Sequence, residues 1–426
     1  MTASARRTAV LDVVPGLLVD CAFYLDVFAL QFLVRSLGGS SLGVALVFGI
    51  YTVVYAVLAP LLGRASDRGD RRRVLRTSAL LFAAIPAALA AVLVVRPGAA
   101  PDTVVVTARL APGPFGPTAW VYLASASFAL SNGLFWPALQ ARIGDRETDP
   151  VARGRAIRRF NVGWTIGKAL GFLVGGVVFQ RAPGACLPLG AVLAAAVFLL
   201  LLLDRPAVAG GAPAPAPDAP PPSEPAGPPR PSGLPGPPQA VKRAYLLAAL
   251  AANFAVWSAL STLQSLAPTL ARSLGINPQE AGLLVFLALG AQGAVFFSLG
   301  GSGAWAYRPL TLLVSTPVAA LGLGLVLLAE GLPLAATGAL LAGAAQAVTY
   351  AASVFYSLDS DHQRGLRTGV HEANLALAGA VPMLGGWVAD QAGALRAPLV
   401  VALVPCLIAA AVVALLLPRA RTEPAT

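Results

Sequence analysis

The sequence has few of the residues that catalytic and metal sites require. It contains two histidines and three cysteines among 426 residues. Neither His362 nor His371 has a second ligand at metal-binding spacing, and Cys21, Cys186 and Cys406 each lie inside an apolar run, as small packing residues do. No nucleophile elbow or phosphate-binding glycine loop stands out. These absences argue against an enzyme, and we expect no catalytic residue, metal or cofactor.

Charged residues are also scarce. They make up 12% of the chain, whereas 57% of the residues are hydrophobic. Soluble proteins carry about twice that charged fraction, so the apolar excess has to face lipid, which predicts a polytopic membrane protein. A net charge of +11 would suit nucleic-acid binding, but the basic residues stand in short segments between apolar runs, as membrane orientation requires. We therefore expect no nucleic-acid partner.

Twelve apolar runs follow one another, each near the ~20 residues that a helix needs to cross the hydrocarbon core. The predicted spans are 13–34, 41–63, 74–96, 117–140, 159–180, 184–203, 243–267, 279–300, 309–329, 333–357, 368–389 and 396–418. Asp20 and Asp26 interrupt the first run, which we therefore interpret as a span and not as a signal peptide. The predicted fold class is an all-α polytopic membrane protein with twelve transmembrane helices and both termini on one side.

A short basic segment at 63–75, between the second and third spans, orients the chain. Its first eleven residues hold five arginines and two aspartates, so the positive-inside rule places it in the cytoplasm. With that assignment, the cytoplasmic segments hold 23 of the 30 basic residues and the outer segments hold six. This distribution predicts an integral protein of the inner or plasma membrane with both termini in the cytoplasm.

Residues 205–242 form a segment of different composition. Fourteen prolines lie between Arg205 and Ala240, with few large apolar residues, so the segment cannot bury a core and should be an extended or disordered linker. It is either a passive tether or a binding segment for a partner through PxxP-like motifs. It divides the chain into a six-helix unit at 1–204 and another at 243–426.

The two units share a few ordered positions. Asn132 and Trp136 are four residues apart in span four, as are Gln346 and Tyr350 in span ten. An aspartate follows thirteen residues after the first member of each pair. This order is expected of a duplicated six-helix unit.

Twelve spans, a long cytoplasmic linker after the sixth and a charged turn between the second and third resemble the major facilitator superfamily. The turn is similar to the family pattern G-x-x-x-D-R-x-G-R-R/K at Gly63, Asp67, Arg68, Arg71 and Arg72. Asp70 stands where the family has its second glycine. The resemblance implies two pseudo-symmetric six-helix bundles that alternate access to a central cavity.

The resemblance also implies that this turn is a gate. Asp67 would lie near the start of span eleven, where the helix dipole favours a carboxylate. The arginines of the turn would pair with nearby acids and lipid headgroups. Glu372, near the start of span eleven, would offset the dipole or pair with these arginines. The alternative is that the arginines only set the topology.

Span five carries a glycine every four residues, at positions 163, 167, 171 and 175. Such a stripe lets another helix approach closely. The stretch 171–176 resembles the family's antiporter pattern G-P-x-x-G-G, with Phe172 in place of the proline. That likeness favours export over uptake.

Three charged residues fall deep inside predicted spans, away from the span ends: Asp20 and Asp26 in span one, and Lys168 in span five. A charge near the bilayer centre costs about 2.5–3.5 kcal/mol. Six residues of helix separate the two acids by about 240°, so they face different surroundings. We hypothesise that one carboxylate, preferably Asp26, takes up a proton during transport while Lys168 holds the other. The alternative is a static ion pair or a carboxyl group bonded to backbone.

Polar and aromatic residues on spans one, four, seven and ten are candidates for the substrate cavity, since these spans line it in the resembling fold. They are Gln31, Asn132, Trp136, Asn253, Trp257, Gln264, Gln346 and Tyr350. No arginine lies in a span core, which disfavours a strongly anionic substrate and suits a neutral, amphipathic or cationic one.

The sequence thus predicts a secondary transporter, proton-coupled, that exports a small amphipathic or cationic solute. One alternative is an uptake permease for a neutral solute such as a sugar or nucleoside. Another is a non-transporting membrane sensor or scaffold. The expected partners are membrane lipid, a small-molecule substrate and protons, with the monomer as the functional unit.

Overall fold

A computed structural model describes residues 3–68, 70–98, 104–109, 116–146, 150–203, 237–299, 305–359 and 364–422. In these residues the chain is almost entirely helical. The helices are α1 (Ala3–Ser36), α2 (Ser41–Arg68), α3 (Arg71–Val92), α4 (Gly116–Arg146), α5 (Pro150–Arg181), α6 (Cys186–Leu202), α7 (Gln239–Ser265), α8 (Ala267–Leu274), α9 (Pro278–Leu299), α10 (Pro309–Leu328), α11 (Leu332–Leu358), α12 (Arg364–Ala392) and α13 (Ala397–Thr422).

All of these helices except the short α8 correspond to predicted spans. Ten of them are long and apolar enough to cross a membrane by length and composition. The remaining two, α4 and α12, carry more polar residues, among them Asn132 in α4 and Glu372 in α12. The predicted all-α class with twelve long helices is confirmed in the described part of the chain.

The structure corrects the end of the third span, which was predicted to stay helical to residue 96. Helix α3 ends at Val92, and Leu93–Pro97 forms strand β1. This strand pairs antiparallel with β2 (Val104–Ala108), with Val95 opposite Val106. Consecutive β-branched valines favour a pleated strand over a helix, so an apolar run alone overestimates the helix here.

The seventh span also differs from its predicted end at residue 267. Helix α7 stops at Ser265, and the chain turns at Leu266 into α8, which has Pro268 in its first turn. Proline is favoured at the start of a helix and cannot donate a backbone hydrogen bond inside one. Gly275, with φ of 65°, ends α8. The apolar segment is therefore longer than predicted and broken near its end.

The glycine stripe of α5 packs directly on α1. A Cβ atom at Gly167 would collide with the carbonyl oxygen of Leu17, and one at Gly171 would lie 2.7 Å from the carbonyl oxygen of Cys21. The stripe allows the backbones of α1 and α5 to touch, as its spacing predicts. This close approach fixes the depth of Lys168 on α5 relative to the acids of α1.

The bundle has two ends, which we name by their landmarks. The linker face is the end at which α6 stops at Leu202 and α7 begins at Gln239. The hairpin face is the opposite end, which carries β1 and β2. On the hairpin face the halves touch, because both carboxylate oxygens of Asp390 bond to backbone N–H groups at the start of α2. Gly176 of α5 also lies against the backbone of α9.

Candidate functional site

Lys168 lies in an aromatic setting between the two halves. Its Nζ is 4.5 Å from the ring centre of Tyr24 on α1 and 5.6 Å from that of Trp257 on α7. Both distances fall within the range of cation–π attraction. The side chain is buried, so its charge is stabilised by ring faces instead of water. One ring comes from each half, and Lys168 therefore contacts both halves.

Asp20 is the acid that faces Lys168. It lies four residues before Tyr24, one turn along the same helix, and its carboxylate interacts electrostatically with the Lys168 ammonium group. Among the described residues, no direct ion pair joins these two groups. The structure thus brings Asp20, Tyr24 and Lys168 together without a short salt bridge.

Asp26 has a different environment. Its side chain is 1% exposed and packs against Gly190 of α6, where a Cβ atom would collide with the carboxylate. The Oδ1 atom has no hydrogen-bond partner in the part of the chain that the structure describes. Asp26 therefore lies in a helix interface without a counter-charge. The two acids of α1 differ in their surroundings, as their spacing predicts.

Four aromatic rings meet beside Lys168. Tyr350 of α11 stacks on Trp257, with ring centres 5.9 Å apart and planes 26° apart. The edges of Trp164 from α5 and Phe296 from α9 meet the same tyrosine at 6.4 Å and 5.6 Å. These rings, Trp164, Trp257, Phe296 and Tyr350, form what we call the aromatic cluster. They place an apolar and polarisable surface at the contact between the halves.

The predicted cavity amides separate into two groups. Asn132 and Trp136 satisfy each other, because the Trp136 Nε1–H donates to Asn132 Oδ1 at 2.8 Å. By contrast, Gln31, Asn253 and Gln346 are fully buried, and neither amide atom of any of them has a partner among the described residues. Gln264 is also buried. Asn253 and Gln346 each precede a cluster ring by one turn, so their free amides lie beside the aromatic cluster.

Glu372 lies on the side of α12 opposite the most exposed apolar residues of that helix. The lipid-facing stripe of this helix contains Val370, Leu377 and Leu384, which are 46%, 65% and 53% exposed. Two residues of helix turn Glu372 about 200° away from Val370. Its side chain is exposed to solvent.

The predicted gate is only partly described. The side chains of Asp67 and Arg68 and the surroundings of Gly63 lie outside the described residues. Asp70 is clear: it accepts a hydrogen bond from the Arg72 backbone N–H at 2.9 Å and so caps α3. It also pairs with Arg73 at 3.6 Å. Arg71 and Arg72 both have interactions.

Four interior aromatic residues were not among the predicted site residues. They are Tyr24, Tyr55, Trp164 and Phe296. Sequence spacing could have identified two of them, since Tyr24 is four residues after Asp20 and Trp164 is four residues before Lys168. A helix places such residues on one face. No sequence signal marked Tyr55 and Phe296, because an apolar aromatic residue in a span is ordinary.

Comparisons with known proteins bear on this architecture. The family model described as the Major Facilitator Superfamily matches residues 16–267 and 246–426. No curated protein matches the sequence.

Solved structures of transporters share the fold. A bacterial homologue of the human lysosomal transporter Spinster, in an inward-facing and occupied conformation, aligns with a TM-score of 0.66 at 16% identity over 100% of both chains. Its inward-facing and unoccupied conformation gives 0.65 at 16% identity and the same coverage. A mutant of the nucleoside transporter NupG gives 0.62 at 13% identity over 97% of this chain and 98% of that one. At these identities the likeness shows the fold.

Proposed function

The chain belongs to the Major Facilitator Superfamily, and from that membership we propose that it is a proton-coupled secondary transporter that exports a small amphipathic or cationic solute by alternating access. Membership confirms the resemblance in the sequence and establishes the coarser statement, a membrane transporter with a small-molecule substrate. Direction, coupling ion and substrate class are the proposed part. The structural likeness to transporters supports the fold on which alternating access depends.

The proposed orientation places the linker face in the cytoplasm. The sequence concentrates 23 of its 30 basic residues in segments assigned to that face, and short basic segments stay on the cytoplasmic side. The turn at 63–75 then lies at the cytoplasmic end of α2. We propose that Asp67 and the arginines of this turn hold that end closed in the outward-open state.

One observation carries the proposal of proton coupling: the two acids of α1 have unequal surroundings. Asp20 shares its site with Lys168, whereas Asp26 packs against Gly190 with no counter-charge. Burial without a partner favours the neutral form of a carboxyl group. A carboxyl group that is neutral while buried and ionised when water reaches it can carry a proton across the membrane. We therefore assign proton transfer to Asp26 and a positioning role to Asp20 and Lys168.

The test is transport by the full chain in proteoliposomes with an imposed pH gradient, screened against a panel of cationic, amphipathic and neutral compounds. Asp26→Asn is expected to abolish uptake driven by the pH gradient while counterflow exchange of labelled against unlabelled solute continues. Normal gradient-driven transport by Asp26→Asn would refute the assignment. Asp145→Asn is the control, because it also removes one acidic side chain but does so at the linker face. Absence of any transported compound would favour the sensor or scaffold.

A further inference from the structure

A cavity of about 320 Å³ lies at the hairpin face of the first half, away from the proposed proton path. Strand β1 forms one wall, and the end of α3 and the start of α6 complete it. We call this cavity the arginine pocket, and its lining includes Val94, Arg96, Arg109, Gly184, Leu187 and Pro188. No lining residue is acidic, so two cationic side chains share a cavity to which the described residues contribute no carboxylate.

The register of the hairpin places both arginines on one face of the two strands. Arg96 lies opposite Val105. The Arg109 N–H donates to the Val92 carbonyl oxygen at 2.8 Å, so Arg109 lies opposite Val92. Side chains alternate between the faces of a strand, and directly opposite residues share a face. Four residues of chain separate Val92 from Arg96 by about 13 Å, so the arginines border the pocket at its two ends, with Val94 between them.

Both arginines of the pocket lack a protein partner in the described part of the chain. Elsewhere on the hairpin face, Arg35 donates to a backbone carbonyl oxygen at 3.0 Å, and Arg396 donates to three backbone carbonyl groups. The side chains of Arg96 and Arg109 form no hydrogen bond and no ion pair with a described residue. Asp102, the acid of the hairpin segment, lies outside the described residues. Two unbonded guanidinium groups in one cavity point to a negatively charged ligand.

Helix length places the pocket at the level of the lipid headgroups. Helix α3 has 22 residues and is therefore about 33 Å long, close to the thickness of the hydrocarbon core. Strand β1 starts directly after this helix. Arg96 therefore lies just beyond the hydrocarbon, in the interfacial region that holds the phosphate groups of phospholipids.

An apolar surface runs from the pocket toward the bilayer centre. Pro188 of α6 is exposed, and Val192 and Leu199 of the same helix are 65% and 59% exposed. Residues four and eleven positions apart lie on one side of a helix. On α3, which packs against α6, Ala87 is exposed one turn below the pocket residue Ala90. The pocket thus opens onto the lipid-facing sides of two helices.

We propose that the arginine pocket binds the phosphate group of an anionic phospholipid in the leaflet at the hairpin face, with the acyl chains of that lipid along α3 and α6. A guanidinium group matches a phosphate group through parallel N–H···O contacts, so Arg96 and Arg109 hold the phosphodiester from two sides. A free phosphate ion offers the same charge but has no chains to cover the apolar surface. This lipid site is separate from the site of the transported solute.

The test uses the full chain in detergent, with native mass spectrometry to count bound lipid during titration with phosphatidylglycerol or phosphatidylcholine. Both lipids carry a phosphodiester, but the choline ammonium group cancels its charge. The wild type should bind one phosphatidylglycerol at least about tenfold more tightly than phosphatidylcholine, because two basic residues contribute. Arg96→Gln and Arg109→Gln should each weaken phosphatidylglycerol binding about fivefold, the effect of one basic residue at a membrane surface. The double change should weaken it further.

Arg272→Gln is the matched control, because it removes an exposed arginine of the hairpin face from the other half. It should bind phosphatidylglycerol like the wild type. Pro188→Glu is a second variant, which places a carboxylate at the rim of the pocket while both arginines stay. It should also weaken phosphatidylglycerol binding, through repulsion of the phosphate group. Circular dichroism and thermal unfolding in lipid-free detergent separate loss of binding from loss of fold.

Three outcomes would overturn the proposal: a wild type that does not prefer phosphatidylglycerol, an unchanged phosphatidylglycerol affinity in the double glutamine variant, or losses of equal size for both lipids. Titration with inorganic phosphate distinguishes the lipid headgroup from a free anion. Phosphate should bind much more weakly than phosphatidylglycerol, because it has no acyl chains. Equally tight binding of phosphate, lost in the double variant, would assign the pocket to a soluble anion and contradict the lipid assignment.

Discussion

Asp390 caps a helix of the other half of the molecule: one of its carboxylate oxygens accepts a hydrogen bond from the backbone N–H of Leu42 at 2.9 Å. The other oxygen accepts from the N–H of Ser41 at 2.8 Å. Helix α2 begins at Ser41, so these N–H groups have no partner within their own helix. The cap can exist only while the two halves meet at the hairpin face, and it therefore stabilises closure there.

Removal of this cap should shift the protein toward opening at the hairpin face. Asp390→Ala is expected to remove about 1 kcal/mol of stabilisation from the closed arrangement, the usual value of a helix N-cap. Spin labels at Ser36→Cys and Ala394→Cys, one in each half, would report a larger population of long distances. Glu330→Gln removes an acid from the same face without touching α2 and should leave the distance distribution unchanged. An unaltered distribution in Asp390→Ala would show that the cap does not hold the halves together.

The same contact should not respond to pH in the physiological range. Partial burial raises the pKa of Asp390, but the backbone N–H groups of Leu42 and Ser41, together with the hydroxyls of Ser40 and Ser41, outweigh that effect, and its net pKa lies below the ordinary value of 3.8. A depressed pKa means that the stabilisation is fully present above 3.8 and is lost only as pH falls through the lower value.

Any change of the spin-label distances at the hairpin face between neutral pH and the ordinary Asp pKa should therefore persist in Asp390→Asn, because it comes from another titrating group such as Asp26. A change of distance at mildly acidic pH in the wild type, retained in Asp390→Asn, would place the responsible proton elsewhere. A change that Asp390→Asn abolishes would contradict the depressed pKa.

Gly190 should be intolerant of any side chain because Asp26 occupies the space beside it. A Cβ atom at this position would collide with both carboxylate oxygens. Gly190→Ala is expected to destabilise the protein by about 1–3 kcal/mol through overpacking, measured by thermal unfolding in detergent. Gly324→Ala in α10 is the matched control, since no atom lies within 4 Å of its Cβ position. It should be neutral or slightly stabilising, and equal effects of the two changes would contradict the packing of Asp26 on α6.

The sequence predicted most of the fold because the hydrocarbon core of a membrane permits few backbone structures. Backbone groups in lipid must bond internally, so apolar runs become helices, and the glycine spacing of α5 predicted its contact with another helix. The β1–β2 hairpin was not predicted because a run of valines is equally apolar in a strand and in a membrane-spanning helix. The break at Leu266 was missed because an apolar run continues across it.

The site was less predictable than the fold. Asp20, Asp26 and Lys168 could be found because a charge in a span is costly, and their spacing separated the two acids. Spacing could not show that Asp26 meets a glycine of α6, since this depends on tertiary packing. Glu372 was assigned to the gate from its place near a helix start, and this role stays a prediction. The rings that meet at Tyr350 come from four helices, and no local pattern connects them.

A double-mutant cycle can establish which acid Lys168 stabilises. Lys168→Met removes the charge and keeps an apolar chain of similar length, so Asp20 would remain as a buried acid without its cation. Asp20→Asn leaves Lys168 between Tyr24 and Trp257 without its acid. We expect each single change to destabilise the protein and the double change to cost less than their sum, with a coupling energy of about 0.5–3 kcal/mol by thermal unfolding. The control cycle pairs Lys168→Met with Asp26→Asn, where the effects should add because Asp26 faces Gly190. Strong coupling to Asp26 and none to Asp20 would exchange the roles of the two acids, and with them the residue to which proton transfer is assigned.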